Sequence, residues 1–287
     1  MKYILQNNKI IIENIRDFNI QQILECGQCF RFTKIDENKY KIIACNRVLT
    51  IEQNENCVSF YPCNQEDFNN IWIDYFDLNR DYSIIKEKIC KNDNIMKKAV
   101  EYGEGIRILN QQPFECTLSF IISQNNNIPR IKGIIQKMSQ TYGTKINDDF
   151  LFPTQKQLEN VTVQQLSDLK MGFRAKYIFD ALEKFNNNQI DIIGLYNLST
   201  AEARNELLKI KGVGQKVADC ILLFSLKHED VFPTDVWIKR IMEQLYFDKK
   251  ETPVKEIQML AKKNWGNYTG FAQQYLFYYA RSLNIGK

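Results

Sequence analysis

The sequence predicts an α+β protein, with an antiparallel β domain over residues 1–78 and a larger all-α domain over residues 79–287. Three observations carry this. A length of 287 residues suits two domains of roughly 150 residues each. Short β-branched and aromatic runs crowd the first third of the chain. Beyond it, apolar residues recur at helical spacing.

The strands come first. Tyr40–Cys45, Arg47–Glu52 and Cys57–Tyr61 are separated by Asn46 and by the polar stretch Gln53–Asn56, which is the signature of a meander or hairpins. Helices follow at 83–100, 114–125, 129–141, 155–170, 174–186, 200–209, 214–227, 235–246 and 253–264, with another near 269–283. Ser199 and Glu202 have the spacing of a capping box. Gly212 and Gly214 punctuate the junction after that helix. There is no internal repeat and no low-complexity tail.

Composition narrows the chemistry. Hydrophobic residues make up 44% and charged residues 25%, which excludes a disordered, collagen-like or disulfide-dense chain. A single histidine excludes multi-histidine metal sites and leaves little room for a Ser-His-Asp arrangement. The balance of 38 basic against 34 acidic residues, +4, permits nucleic-acid binding without demanding it. Of the eight cysteines, Cys26 and Cys29 form a lone CxxC with no second pair or nearby histidine to complete a zinc set. The opening MKYILQNNKIIIENIRDF lacks a signal-peptide core, so free thiols in a cytoplasmic protein are expected. No run approaches the roughly 18 apolar residues of a membrane span. The abundance of Asn, Ile and Lys reads as genome bias.

The most informative segment is Leu208–Cys220. Two predicted helices flank the turn Lys211-Gly212-Val213-Gly214, and Ile210, Val213, Val217 and Ala218 can pack the helices together. Glycines before a helix let another backbone approach and leave N–H groups facing outward at its positive end, a seat for a phosphate. By itself this is also an ordinary glycine-turn hairpin. Lys216, however, stands in the first turn of the new helix, where cations are disfavoured. Nineteen residues later, Asp235 follows Pro233 at the start of the next predicted helix. An N-cap explains the aspartate; it does not explain the lysine.

Gly212-Val-Gly-Gln-Lys216-Val-Ala-Asp219, followed by Val231-Phe-Pro-Thr-Asp235-Val236, resembles the helix-hairpin-helix plus Gly/Pro/Asp signature of DNA base-excision glycosylases. A lysine at 216 is similar to the bifunctional branch, which joins base removal to strand cleavage. Other segments resemble the 8-oxoguanine DNA glycosylase family in order along the chain. They are Cys26-Gly-Gln-Cys-Phe-Arg-Phe32, Asn125-Asn-Asn-Ile-Pro-Arg130, Gly172-Phe-Arg-Ala-Lys-Tyr177 and Gly270-Phe-Ala-Gln-Gln-Tyr-Leu-Phe277.

The resemblance implies roles for these positions. Lys216 is the nucleophile, acting as a neutral amine on C1′, and Asp235 stabilises the positive charge that develops on the sugar. The Gly27 carbonyl meets the proton that oxidation places on N7, which in guanine is an acceptor. Gln273 reads the Watson–Crick edge, and Phe277 and Cys220 sandwich the ring. Asn125 fills the vacated stack, Arg130 and Arg174 read the orphaned cytosine, and Phe173 wedges beside the gap. Gly212, Val213 and Gly214 seat a phosphate. Trp237 stands where the family commonly has a phosphate-contacting histidine, and Lys239 and Arg240 are candidate substitutes. The implied partner is double-stranded DNA containing 8-oxoguanine, bound by a monomer with no membrane attachment, in the nucleoid if the source is bacterial. No cofactor or metal is expected: iron–sulfur relatives carry four cysteines after the hairpin, and here Cys220 is the last.

Each segment also has a plainer reading. Asn125–Asn127 can be a polar loop, Arg130 and Arg174 solvated charges, Gln273 and Phe277 an i, i+4 pair facing a core, Cys220 a small buried hydrophobe, and His228 a loop residue. Two other functions remain open at this level. One is an alkylated-base glycosylase, which would not need Lys216; the other is a non-catalytic DNA-binding hairpin module.

Overall fold

The structure, a computed structural model, describes residues 2–55 and 57–283; Asn56, in the predicted spacer, lies outside them. Six strands form one antiparallel sheet: β1 (Ile4–Gln6), β2 (Lys9–Glu13), β3 (Phe32–Asp36), β4 (Lys39–Ala44), β5 (Arg47–Gln53) and β6 (Cys57–Tyr61). Their spatial order is β1-β2-β6-β5-β4-β3. The three predicted runs are β4 to β6. The sequence reading assigns none of β1, β2 and β3; β1 is only three exposed residues long, without alternation to mark it.

The turns show why asparagine is abundant. The β1–β2 turn uses Asn7 and Asn8 at φ 50° and 60°, and the β4–β5 turn uses Cys45 and Asn46 at φ 51° and 58°. Two-residue hairpin turns need left-handed backbone at both positions, which asparagine tolerates best after glycine. Eight of the fifteen non-glycine residues with positive φ among the described residues are asparagines. Genome bias is therefore not the whole account of them.

Register puts one face of the sheet into the core. Ile10 and Ile51 both oppose Phe60, Ile12 opposes Val58, Tyr40 opposes Ile51, and Ile42 opposes Leu49; all are buried. Against them pack Ile20, Ile23 and Leu24 of α1 (Ile20–Glu25). Phe68, Trp72 and Phe76 complete the layer from a second helical segment. There α2 (Gln65–Asp67) passes through a wide five-residue turn (Phe68–Trp72) into α3 (Ile73–Tyr75). Each such buried side chain contributes about 1.5–3 kcal/mol. Neither helical segment is assigned by the sequence reading.

The rest of the chain is helical apart from a small ladder, β7 (Lys145–Ile146) with β8 (Asp149–Phe150), that the all-α expectation omits. The predicted helix 83–100 is two helices, α4 (Tyr82–Cys90) and α5 (Asn94–Tyr102). Asn92 takes φ 59°, and the Asp93 carboxylate caps the new start by accepting from the Ile95 and Met96 N–H groups. Likewise 155–170 resolves into a single tight turn at Lys156–Leu158 and α8 (Val163–Asp168), which starts on a Thr162–Gln165 capping box.

The other helices fall close to prediction. They are α6 (Pro113–Ser123), α7 (Ile128–Tyr142), α9 (Arg174–Asn186), α10 (Thr200–Leu208), α11 (Gln215–Ser225), α12 (Val236–Tyr246), α13 (Val254–Trp265) and α14 (Thr269–Ser282). The Ser199–Glu202 capping box is formed at the start of α10.

The sheet core and the helical core interlock across the predicted 78/79 division. Cys26 and Phe30 belong to the helical cluster, and Leu109 to the sheet cluster. Cys29 lies on the sheet side, so the CxxC sulfurs serve different cores. Arg107, almost fully buried, donates to the carbonyls of Arg16, Asp17 and Asp77, satisfying a charge that would otherwise be costly to bury. Lys41 donates to both Asp149 oxygens at 2.8 and 2.7 Å. The site described next lies where the α1–β3 loop meets the helices.

Candidate active site

The hairpin between α10 and α11 is a rigid platform. Gly212 has φ +79°, and a Cβ there would fall 2.3 Å from the Tyr177 ring. Only glycine gives both the conformation and the space. The Lys211 N–H donates to Asp180 Oδ2 at 2.7 Å, fixing the turn to α9. Ile210, Val213, Val217 and Ala218 are buried between the helices, as their spacing predicts. Arg204 donates to buried Asp219 at 2.6 Å across the pair. Burial pushes the Asp219 carboxyl up to about 6, against the pull of Arg204. Gly214 caps α11 without a side chain, and a Cβ there would meet nothing within 4 Å. The helix therefore opens onto space at Gly214, and the start of a helix with room before it suits an anion.

Two turns of different helices then bring the lysine and the aspartate together. Lys216 follows Gly214 in α11, with its Nζ 5.7 Å from the centre of the Phe120 ring. Phe120 is held by stacking on Phe224 at 5.5 Å and by edge contact with Phe30. Asp235 caps α12, its Oδ1 accepting from the Ile238 N–H at 2.8 Å. The cap reading is thus correct, and it fixes the carboxylate at the cavity wall. Lys216 and Asp235 line one cavity of about 620 Å³ with Gly27, Phe120, Trp237 and Phe277. A recess of about 50 Å³ shares Gly27, Phe120, Lys216, Asp235 and Phe277 and adds Cys220 and Gln273.

The recess has a distinctive polarity. Gln273 is buried, yet its Oε1 has no hydrogen-bond partner among the described residues. A buried unpaired amide costs about 1–3 kcal/mol. Burial pushes the Cys220 thiol up to about 11, against the pull of Lys216 one turn away, so it stays neutral. Gly27 takes φ +89°, and a Cβ would stand 3.2 Å from the Phe277 ring. The carbonyls on either side of it are both engaged: Gln274 donates to Cys26 O at 2.8 Å and Gln111 to Gln28 O at 2.7 Å.

The remaining predicted residues divide. Asn125 is exposed at a loop tip with φ 46°. Phe173 is 49% exposed and packs edge-on against Tyr177. Trp237 is 44% exposed at the cavity wall. Arg130 is exposed and reaches the Lys170 carbonyl at 3.4 Å.

Arg174 is not the solvated helix charge of the plainer reading. It is only 2% exposed, and its guanidinium donates to the carbonyls of Gln124, Asn125 and Met171, so in this conformation it holds the Asn125 loop. Burial, and then Arg130, push it below its ordinary value. The reason is local: the loop turns its carbonyls inward, and a multi-donor fork satisfies several at once. Lys239 pairs with Glu243 and Glu251, which engages one of the two candidate substitutes at Trp237. His228 is a buried loop residue between Thr200 Oγ1 and the Leu195 carbonyl.

Sequence reasoning gave no role to Phe120, Gln28, Gln111, Gln274 or Arg281. Gln28, Gln111 and Gln274 act through bonds to backbone far away in sequence, and Phe120 lies in a fully buried stretch of α6 where an aromatic reads as core. No helix among the described residues is long and apolar enough to cross a membrane.

The model for the 8-oxoguanine DNA glycosylase N-terminal domain matches residues 10–117, and that for HhH-GPD superfamily base excision DNA repair proteins matches residues 118–267. Their junction falls inside α6, well past the predicted 78/79 division. The N-glycosylase/DNA lyase of Saccharomyces cerevisiae is 28% identical, covering 92% of this chain and 84% of its own. The Clostridium acetobutylicum 8-oxoguanine glycosylase/lyase, solved with double-stranded DNA containing cytosine opposite 8-oxoguanine, is 40% identical with a TM-score of 0.95, covering 99% of each chain. MBOgg1, solved with a low-affinity DNA ligand, is 43% identical with a TM-score of 0.95, covering 99% of this chain and 100% of its own.

Proposed function

Because the chain belongs to the 8-oxoguanine DNA glycosylase branch of the HhH-GPD superfamily, we propose that it excises 8-oxoguanine from double-stranded DNA, preferably opposite cytosine, and nicks the resulting abasic strand. The observation that carries this is the convergence of Lys216, Asp235, Gly27 and Phe277 on one cavity, beside the unpartnered Gln273 Oε1.

A base inside a duplex is out of reach and must be turned out, at a cost of a few kcal/mol. The exposed Asn125 and Phe173 are available to fill and wedge the gap. Gly212–Gly214 and the start of α11 would hold a phosphate. The recess beside Cys220 and Gln273 is only about 50 Å³, so its walls must open to seat a purine there. The lesion's N7–H then donates to the Gly27 carbonyl, where guanine N7 would present an acceptor to an acceptor. Such a mismatch at a buried polar group discriminates strongly. The Gln273 amide gains the partner it lacks.

The chemistry follows from the two charged groups. The neutral Lys216 amine attacks C1′ and forms a C–N bond as the glycosidic bond breaks. The base leaves with the electron pair and takes up a proton. Asp235 stabilises the positive charge on the sugar. Ring opening gives an imine at C1′, which acidifies the C2′ proton; loss of that proton breaks the C3′–O bond and cuts the strand 3′ to the lesion.

Borohydride reduction is the test. It traps the wild-type protein covalently on an 8-oxoguanine:cytosine duplex, and Lys216→Gln abolishes the trap; a Lys216→Gln variant that is trapped normally refutes the assignment. An alkylated-base enzyme on the same scaffold would instead release 3-methyladenine and leave 8-oxoguanine untouched.

A further inference from the structure

Recognition through a main-chain carbonyl works only if that carbonyl cannot retreat. We propose that Gln274 and Gln111 are positioning residues that hold the Gly27 carbonyl at a fixed height and so set the discrimination between 8-oxoguanine and guanine. This rests on the function proposed above.

The loop that carries Gly27 is tied on both sides, each time to a helix that carries the chemistry. Gln274 on α14 donates to Cys26 O at 2.8 Å. Its chain neighbour is Gln273, so one helix carries both the amide that reads the base edge and the clamp on the opposing carbonyl. Arg281, further along α14, donates to Glu25 O at 2.6 Å and lies over the Phe277 ring at 5.3 Å. On the other side Gln111 donates to Gln28 O at 2.7 Å, while its own backbone N–H bonds the Phe224 carbonyl of α11, the lysine helix, at 2.9 Å.

The Gln28 side chain anchors the loop from below. Its amide nitrogen donates to the Ile23 and Arg107 carbonyls, both at 2.8 Å, and its oxygen accepts from the Leu109 N–H. Gln28 and Gln274 are almost fully buried, and the bonds their side chains make are buried with them. With its neighbours fixed, Gly27 at φ +89° has little freedom left. A carbonyl able to withdraw would bind the N7–H less well and repel guanine less, so the clamp acts on specificity and not on Lys216.

Gln274→Met and Gln111→Met keep side-chain length and remove the donors. Each is compared with wild type for base release from an 8-oxoguanine:cytosine duplex, for release from the undamaged guanine duplex, and for nicking of a duplex with a preformed abasic site. The last needs Lys216 but no base. Base release is expected to fall about 10- to 100-fold, the scale of an ångström of misplacement, with a smaller preference over guanine. Abasic nicking stays within about twofold of wild type.

Tyr275→Phe is the control. It lies on the same helix, its hydroxyl bonds Ile106 O at 3.4 Å, and its loss moves neither rate. Base release and abasic nicking falling in proportion, or neither changing, overturns the clamp. Should Gln274→Met fail to fold, Gln111→Met decides alone. A wild-type protein that releases no 8-oxoguanine overturns the proposed function first, and the clamp with it; an active wild type with proportionate variants overturns only the clamp.

Discussion

Gly212→Ala and Gly214→Ala add the same methyl group two residues apart, and opposite outcomes are expected. At Gly212 the backbone is left-handed, which costs an L-residue about 1–2 kcal/mol. The new Cβ would also stand 2.3 Å from Tyr177 Cδ2, where ordinary contact begins at 3.4 Å, so the ring must retreat by about an ångström. Overpacking of that kind costs about 1–3 kcal/mol. The two together give roughly 2–5 kcal/mol, a fall in Tm on the order of 10 °C. At Gly214 the φ of −94° suits alanine, and nothing stands within 4 Å. The weaker cap and the gain from a stiffer unfolded chain nearly cancel, leaving a change within about 0.5 kcal/mol. The Gly214 methyl instead occupies the space in front of α11 where a phosphate would sit. Thermal unfolding and DNA affinity at fixed salt are the assays. Gly212→Ala loses stability; Gly214→Ala keeps stability and loses affinity by about tenfold, one phosphate contact's worth or about 1.4 kcal/mol. Equal stability losses at the two positions, or a Gly214→Ala variant that binds DNA as wild type does, would refute the account of the hairpin.

Asp235→Asn keeps a good N-cap on α12, so Tm changes little, while single-turnover base release falls by about 100-fold or more; release within threefold of wild type removes Asp235 from the chemistry. Gln273→Met replaces a buried unpaired amide with an apolar chain, so the free protein gains about 1 kcal/mol in denaturant unfolding as base release drops; a destabilised variant would mean that Gln273 has a partner in solution. Burial lifts the Asp219 carboxyl from 3.8 to about 6, so the folded protein keeps a proton that the unfolded chain releases near pH 4. That contribution to stability is present below about pH 4 and is lost as pH rises through about 6, on the order of 3 kcal/mol in all. Unfolding free energies of wild type and Asp219→Asn measured from pH 4 to pH 7 should therefore diverge by this amount, with wild type losing ground; parallel curves refute the assignment.

The sequence by itself determined whatever depends on short spacing. The Gly212–Gly214 turn, the Lys216 position and the Asp235 cap are all written within a few residues, and the capping box at Ser199 likewise. The hydrophobic periods of α9, α10, α12 and α13 were legible because each buries one face, whereas α11 and α14 are buried nearly all round over most of their length. The helix predicted over 83–100 was wrong because a single asparagine at φ 59° and an aspartate cap interrupt an otherwise unbroken pattern. Strand β1 escaped because it buries nothing.

Tertiary structure decided where side chains with several possible partners would spend their bonds. Arg174 reads as a base-contacting or solvated arginine, yet three backbone carbonyls converge on it and bury it. Gln274 meets Cys26 across 248 positions of sequence, and Gln111 meets Gln28 across 83. No local pattern encodes such a bond, because a glutamine in a helix looks the same whether its amide ends in water or on a distant carbonyl. Folding makes that choice: once the apolar faces have packed, an amide left inside must find a partner or pay for its lack. Gln274 found one, and Gln273 Oε1 did not.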